Sequence, residues 1–321
     1  MDRATYLREL HSRFGVPSAT VATLVEGATD RTVTATHRLV RGDECEIHRV
    51  CLDDGSATYL RISFPGTPSR KLYDEAWVMA RAREAGVPVP EVIAVESIES
   101  DAGQRTAMVV REASGRQLLN VLASLSSEQR SRVMVDVGGV LKRLHSIPMP
   151  GGGRPDEHGV WNDPETDRRR YLRDVLVDCR HLSAAGFTPP EVRQVVEVME
   201  SATGASEVDV PVLCHGDVSP EHVFVDSELQ VVGLIDWGMW GAGPAVSELA
   251  GLAMRNTEED FAAILTGHGD APTGPALRYS LAWHTSAHAI GQIRWLVTSG
   301  QLQELGPHVN ALREAFTELA E

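Results

Sequence analysis

The spacing of apolar residues changes character once along this chain, and that change limits the folds open to it. Up to about residue 111 the apolar runs are short and strand-like. Val33-Thr34-Ala35-Thr36-His37-Arg38-Leu39-Val40 is rich in strand formers, and Cys45–Leu52 partly alternates apolar with polar residues. Ala57–Ser63 follows the turn-forming Asp53-Asp54-Gly55-Ser56, so antiparallel hairpins are expected. A helix is predicted over 69–85, with Leu72, Ala76, Met79 and Arg83 on one stripe and Gly86 as its stop. Two more strands, Glu91–Val95 and Ala107–Arg111, flank a turn at Asp101-Ala102-Gly103.

After Gly115 the spacing becomes helical. Ser126-Ser127-Glu128-Gln129 has the form of a capping box, and Val133, Val137, Leu141 and Leu144 carry an amphipathic helix to His145. Gly151-Gly152-Gly153, with prolines on either side, is a loop. Helices are predicted over 165–185 and 189–203, short strands around His215, and helices through the last stretch of the chain. The reading is an α+β, two-lobed fold. A β-rich lobe spans residues 1–112 and a mainly helical lobe spans 113–321, with Val109–Gly115 crossing between them.

No repeat or low-complexity tract interrupts the 321 residues. No apolar run approaches the roughly 18–20 residues needed to span a bilayer. Met1-Asp2-Arg3-Ala4-Thr5-Tyr6-Leu7 has no secretory apolar core, so a cytoplasmic protein without a membrane partner is expected. Cys45, Cys51, Cys179 and Cys214 form no CxxC pair, which argues against a disulfide framework and a cysteine zinc site. The net charge of −15 repels nucleic acid and attracts cationic ligands, though acidity also serves solubility alone.

Chemistry concentrates in one place. His215-Gly216-Asp217-Val218-Ser219-Pro220-Glu221-His222 lies between the apolar runs ending at Cys214 and beginning at Val223. Nineteen residues after Asp217, the apolar run Val231-Val232-Gly233-Leu234-Ile235 ends abruptly in Asp236. Phosphoryl transfer requires one carboxylate to orient the attacking hydroxyl and another to hold a divalent cation. Asp217, Asp236 and, as a further ligand, His222 suit base, metal ligand and metal ligand.

These motifs resemble the aminoglycoside phosphotransferase and choline-kinase-like family, whose members share the bilobal fold of protein kinases. The resemblance implies that Asp217 is the catalytic base, that Asp236 and His222 hold Mg²⁺, and that His215 shapes the loop. Position 222 is most often Asn in this family, and imidazole is a softer ligand than magnesium prefers. Arg61, in Tyr59-Leu60-Arg61-Ile62, corresponds to the phosphate-gripping cation, and Glu75, in Tyr73-Asp74-Glu75-Ala76-Trp77, to its helix partner. Val109–Gly115, including Val110 and Glu112, corresponds to the adenine hinge. Arg41-Gly42-Asp43-Glu44 stands at the phosphate loop with Gly42 as its single glycine, and no GxGxxG is present. Leu144-His145-Ser146-Ile147-Pro148 resembles the end of a core helix, and Gly243–Ala250 the helix after the metal site.

The implied protein is an ATP- or GTP-dependent, Mg²⁺-requiring kinase acting on a hydroxyl of a cationic small molecule. An aminoglycoside, macrolide or basic peptide antibiotic is the first choice. A choline, sugar or amino-alcohol acceptor is the alternative, and a metal-dependent hydrolase or a pseudokinase are rivals of another class. Glu258, Glu259 and Asp260 are candidate contacts for the acceptor's cationic groups. Trp237, Trp240, Trp283 and Trp295 are read as packing residues before pocket residues, and His284 and His288 as ordinary helix residues.

Overall fold

The computed structural model describes residues 3–42, 44–101, 103–201, 210–269 and 274–320. Asp43, Ala102 and the last two residues of the helix expected over 189–203 fall outside these ranges.

Two helices that the apolar spacing does not reveal precede the sheet, α1 (Arg3–Arg13) and α2 (Ser18–Thr29). Half of α2 is β-branched or glycine, so its intrinsic propensity is weak. It is held instead by burying Val21 and Val25, one turn apart, against the sheet. The first third is therefore not β-rich from its beginning, as its strand-forming composition suggested.

The sheet consists of β1 (Val33–Leu39), β2 (Cys45–Leu52), β3 (Ala57–Ser63), β4 (Val92–Ser100) and β5 (Gly103–Arg111). Its order is β1-β2-β3-β5-β4, antiparallel throughout. Alternation along the strands assigns the faces. Leu60, Ile62, Ala107 and Val109 pack toward α2, whereas Met108 and Val110 join the main core with Leu72, Val78 and Met79 of α3 (Arg70–Glu84). Arg61, paired in register with Met108, therefore lies on the α3 side.

The chain leaves β5 at Arg111 and forms β6 (Arg116–Gln117), α4 (Leu119–Leu122) and α5 (Ser127–His145). The Ser126–Gln129 capping box is present at the start of α5. Helices α6 (Pro164–Asp178) and α7 (Pro189–Ser201) follow, then the short strands β7 (Val212–Cys214), β8 (Val223–Val225), β9 (Val231–Leu234) and β10 (Gly241–Gly243). Helices α8 (Ala245–Arg255), α9 (Glu258–His268), α10 (Pro275–Ser299) and α11 (Leu305–Ala320) complete the lobe. The Leu234 N–H donates to the Pro88 carbonyl at 2.7 Å, which ties β9 to the segment entering β4. Among the described residues the four cysteines are free thiols, and no helix is long and apolar enough to cross a membrane.

Helices α5 and α9 cross at backbone contact. A Cβ at Gly138 would lie 2.0 Å from the Ile264 carbonyl oxygen, and one at Gly267 would lie 1.8 Å from that of Val135. At the adjacent Gly139 a Cβ meets only the end of the Arg143 side chain, at 3.9 Å. Helix propensity alone favours Ala over Gly by about 1 kcal/mol at either position. Gly139→Ala should therefore stabilise the protein by up to about 1 kcal/mol. Gly138→Ala should destabilise it by about 1–3 kcal/mol, because the clash with rigid backbone outweighs propensity. Urea unfolding of the two variants checks this, and shifts of the same sign would contradict the packing account.

Candidate active site

Strands β7 and β10 pair, β8 and β9 form a hairpin, and the loop 215–222 is suspended between the two pairs. Gly216 has φ +82°, and a Cβ there would sit 2.2 Å from the Met239 carbonyl oxygen, so only glycine fits. His215 is fully buried. Its Nε2–H donates to the Ile235 carbonyl at 2.9 Å, and its Nδ1 accepts the Asp217 N–H at 3.2 Å. That pair of bonds defines a neutral ring, and burial lowers its pKa from the ordinary value. His215 is thus architectural.

The loop brings Asp217, His222 and Asp236 together. His222 Nδ1–H donates to the Asp217 carbonyl at 2.7 Å. A neutral His222 then turns the lone pair of Nε2 toward Asp236, whose Oδ2 is 3.5 Å away. Asp236 adopts a left-handed backbone, φ 64°, which costs free energy in any residue with a Cβ and aims its carboxylate out of the strand end. His222 Nε2 and Asp236 form a donor pair that could share one cation. Arg255, at the end of α8, places Nη1 3.4 Å from Asp217 Oδ1 and was not picked out from sequence. An arginine closing a helix is too common a signal.

On the sheet side Arg61 forms a buried ion pair with Glu75 of α3. Burial would lower the Arg61 pKa, but Glu75 outweighs it, and the guanidinium is raised above its ordinary value. Lys71, one turn before Glu75, pairs with Glu44 beside the phosphate-loop segment, a second cation that sequence reasoning passed over. Gly42 has φ +70°, and its carbonyl accepts a hydrogen bond from His11 Nε2–H at 2.9 Å. Val110 is a buried β5 residue paired with Tyr59 and Val92. The Glu112 carboxylate accepts from Arg49, at 2.6 and 3.0 Å, and its N–H donates to the Ala57 carbonyl, so both its carboxylate and its amide are engaged within the N-terminal lobe.

Asp260 corrects one expectation. It is buried and accepts from both Nε and Nη2 of Arg130 while lying in the first turn of α9, so it is not poised to meet an acceptor. Glu258 and Glu259 are exposed beside it. Trp237 and Trp240 are core residues, the former donating Nε1–H to the Leu234 carbonyl at 2.9 Å. In α10, burial drives the His284 pKa down to about 3, and His288 bonds the Ser247 carbonyl at 2.8 Å.

The residue sequence reasoning weighed least is Glu248. It is buried in α8, where Oε1 accepts the Gly216 N–H at 2.6 Å and Oε2 accepts the His215 N–H at 3.2 Å and His145 Nε2–H at 2.8 Å. A carboxylate within the apolar stripe Val246, Leu249, Leu252 was the available signal. Cys214 joins His145 and Glu248 within 4.8 Å, a spacing that could suit a metal. Burial raises the Cys214 thiol pKa well above its ordinary value, and Glu248 is committed to donors, so the cluster reads as a hydrogen-bond network.

Residues 48–284, which contain Arg61, Glu75, Asp217, His222 and Asp236, match the phosphotransferase enzyme family. The chain belongs to that family. Among curated relatives, this phosphotransferase is 28% identical to an aminoglycoside 3'-phosphotransferase of Streptomyces fradiae, over 63% of the present chain and 71% of the relative. It is 27% identical to that of Streptomyces ribosidificus, over 74% and 83% of the two chains. Its fold is shared with aminoglycoside phosphotransferase APH(4)-Ia at TM-score 0.70 and 16% identity, covering 94% of this chain and 99% of the other. A putative fructosamine-3-kinase from Thermobifida fusca aligns at TM-score 0.65 and 18% identity, covering 95% and 99%. The phosphotransferase thus has the protein-kinase-like bilobal architecture and is a kinase-type enzyme.

Burial would raise the Glu248 pKa, but the bond from His145, the electrostatic attraction of the neighbouring His145 and His215 imidazoles and the Gly216 N–H together hold it below the usual carboxylate value. A depressed folded pKa contributes stability above the unfolded value, about 4.5, and loses it as pH falls through the folded value. Glu248→Gln should therefore lower stability by about 1–3 kcal/mol at pH 7 and reduce the further loss between pH 5 and 3. Thermal melts across that range check it, and an unchanged acid slope would contradict it.

Proposed function

We propose that this phosphotransferase moves the γ-phosphoryl group of ATP or GTP to a hydroxyl of a cationic, multi-hydroxyl antibiotic, an aminoglycoside first among them. The observation that carries the reading is the convergence of Asp217, His222 and Asp236 at the ends of two strand pairs. The curated relatives named as aminoglycoside 3'-phosphotransferases support the acceptor class, and the net charge of −15 favours a cationic ligand.

In this reading Asp217 accepts the proton of the attacking hydroxyl, while Arg255 constrains its carboxylate. Arg61 and Lys71 provide positive charge for the donor phosphates, each held in place by a carboxylate. Asp236 and His222 would hold Mg²⁺, which supplies charge neutralisation on the transferring group. Val110 and Glu112 border the purine and Gly42 the phosphates. The acceptor lies between the 215–222 loop and the C-terminal helices.

The test is turnover with Mg²⁺ and ATP or GTP against aminoglycosides, macrolides, basic peptides, sugars and amino alcohols, read as nucleoside diphosphate release and product mass. An aminoglycoside gaining one phosphoryl group is expected. A sugar or amino alcohol as the sole acceptor would overturn the antibiotic reading, and hydrolysis without nucleotide would overturn the kinase reading. Asp217→Asn should lower kcat by roughly 10²–10⁴-fold while leaving nucleotide affinity within about twofold, since the base meets the acceptor and not the purine. Isothermal titration with a non-hydrolysable nucleotide measures the second quantity.

A further inference from the structure

Below the 215–222 loop, two histidines from different helices extend the Glu248 network away from the site. His145 ends α5 and His268 ends α9, and both are buried. The backbone contact at Gly138 and Gly267 brings these helices close enough for His145 Nδ1 to lie 3.0 Å from His268 Nε2. On its other side His145 Nε2 is 2.8 Å from Glu248 Oε2. A carboxylate oxygen only accepts, so Nε2 of His145 must carry the hydrogen. On a neutral ring Nδ1 then bears a lone pair, and His268 Nε2–H is its donor.

The consequence lies at the loop. Glu248 Oε1 takes the Gly216 N–H, while Oε2 is shared by the His215 N–H at 3.2 Å and the His145 imidazole. The imidazole is the shorter of the two bonds on Oε2, and without it the carboxylate could rotate away from the His215 N–H. Two consecutive amides immediately before Asp217 would then lose their common acceptor. A packing role alone would not require imidazole here, since burying polar rings costs free energy that leucine would not.

We propose that His145, oriented by His268, is a positioning residue that fixes the Glu248 carboxylate and through it the placement of Asp217. The proposal rests on the reading of 215–222 as the catalytic loop. It concerns kcat, because the acceptor hydroxyl and base must align within a few tenths of an ångström, while the nucleotide is held by other residues.

The experiment compares His145→Gln with His145→Asn. The Gln amide nitrogen reaches the position of Nε2 and keeps the bond to Glu248, whereas the Asn amide reaches only that of Nδ1. His145→Gln should keep kcat within about threefold of wild type. His145→Asn should lose about tenfold or more, with the nucleotide KM changed less than about twofold in both. His268→Leu should fall between them. Equal kcat for the Gln and Asn variants, or a loss carried by nucleotide KM, would overturn the proposal. A second measurement requires neither turnover nor a variant that folds. Ring-nitrogen correlation spectra of wild-type protein labelled with nitrogen-15 histidine should show His145 protonated at Nε2. An unprotonated Nε2 would overturn the proposal, whereas absence of kinase turnover in wild type would count against the proposed function alone.

Discussion

The reacting end of this fold hangs from the Glu248 carboxylate, which is charged, buried and bound by three donors. Removing a carboxylate from water is costly unless its oxygens are satisfied, and the donors available here are backbone amides of the 215–222 loop and an imidazole. The loop therefore cannot relax without exposing the charge to an apolar surround. Gly216 fits into the same junction because its φ of +82° and the nearby Met239 carbonyl exclude any side chain. Asp217 inherits its position from these two requirements before any substrate is present.

The opposite wall of the site depends on strand alternation and one helix. Leu60 and Ile62 bury toward α2, so Arg61 is turned toward α3, where Glu75 meets it. Lys71 and Glu44 form a second pair one turn away along the same helix. Carboxylates thus hold both cations on the sheet side, whereas on the loop side the cation Arg255 constrains the carboxylate of Asp217. Opposite charges restrain one another at each point, so the side chains are arranged ahead of the ligand that would replace some of these contacts.

Much of the local order was legible in the sequence. The five strands of the N-terminal lobe, the helix carrying Glu75, the Ser126 capping box and the Gly86 stop follow from spacing and from residues with restricted backbone or capping chemistry. The HGD segment and the strand ending in Asp236 were legible because polar residues interrupt apolar runs there. Helix α2 was not, since its β-branched sequence favours strand and only its packing on the sheet makes it helical. The Asp260 expectation failed because an acidic first turn looks the same whether its carboxylate faces solvent or, as here, is buried against a half-exposed Arg130.

The sequence by itself determined the five strands of the sheet and the helices after them, where the reactive loop lies, and that Asp217, Asp236, Arg61 and Glu75 are groups the chemistry can draw on. Those properties follow from local spacing and backbone restriction. Tertiary structure alone decided that Gly138, and not Gly139, lies at a helix crossing. It also decided that Arg255 meets Asp217, and that Glu248, His145 and His268 form one chain beneath the loop. The physical reason is that a helix carries its side chains in every direction, and only the partner packed against it distinguishes a solvated glutamate from one that holds a loop.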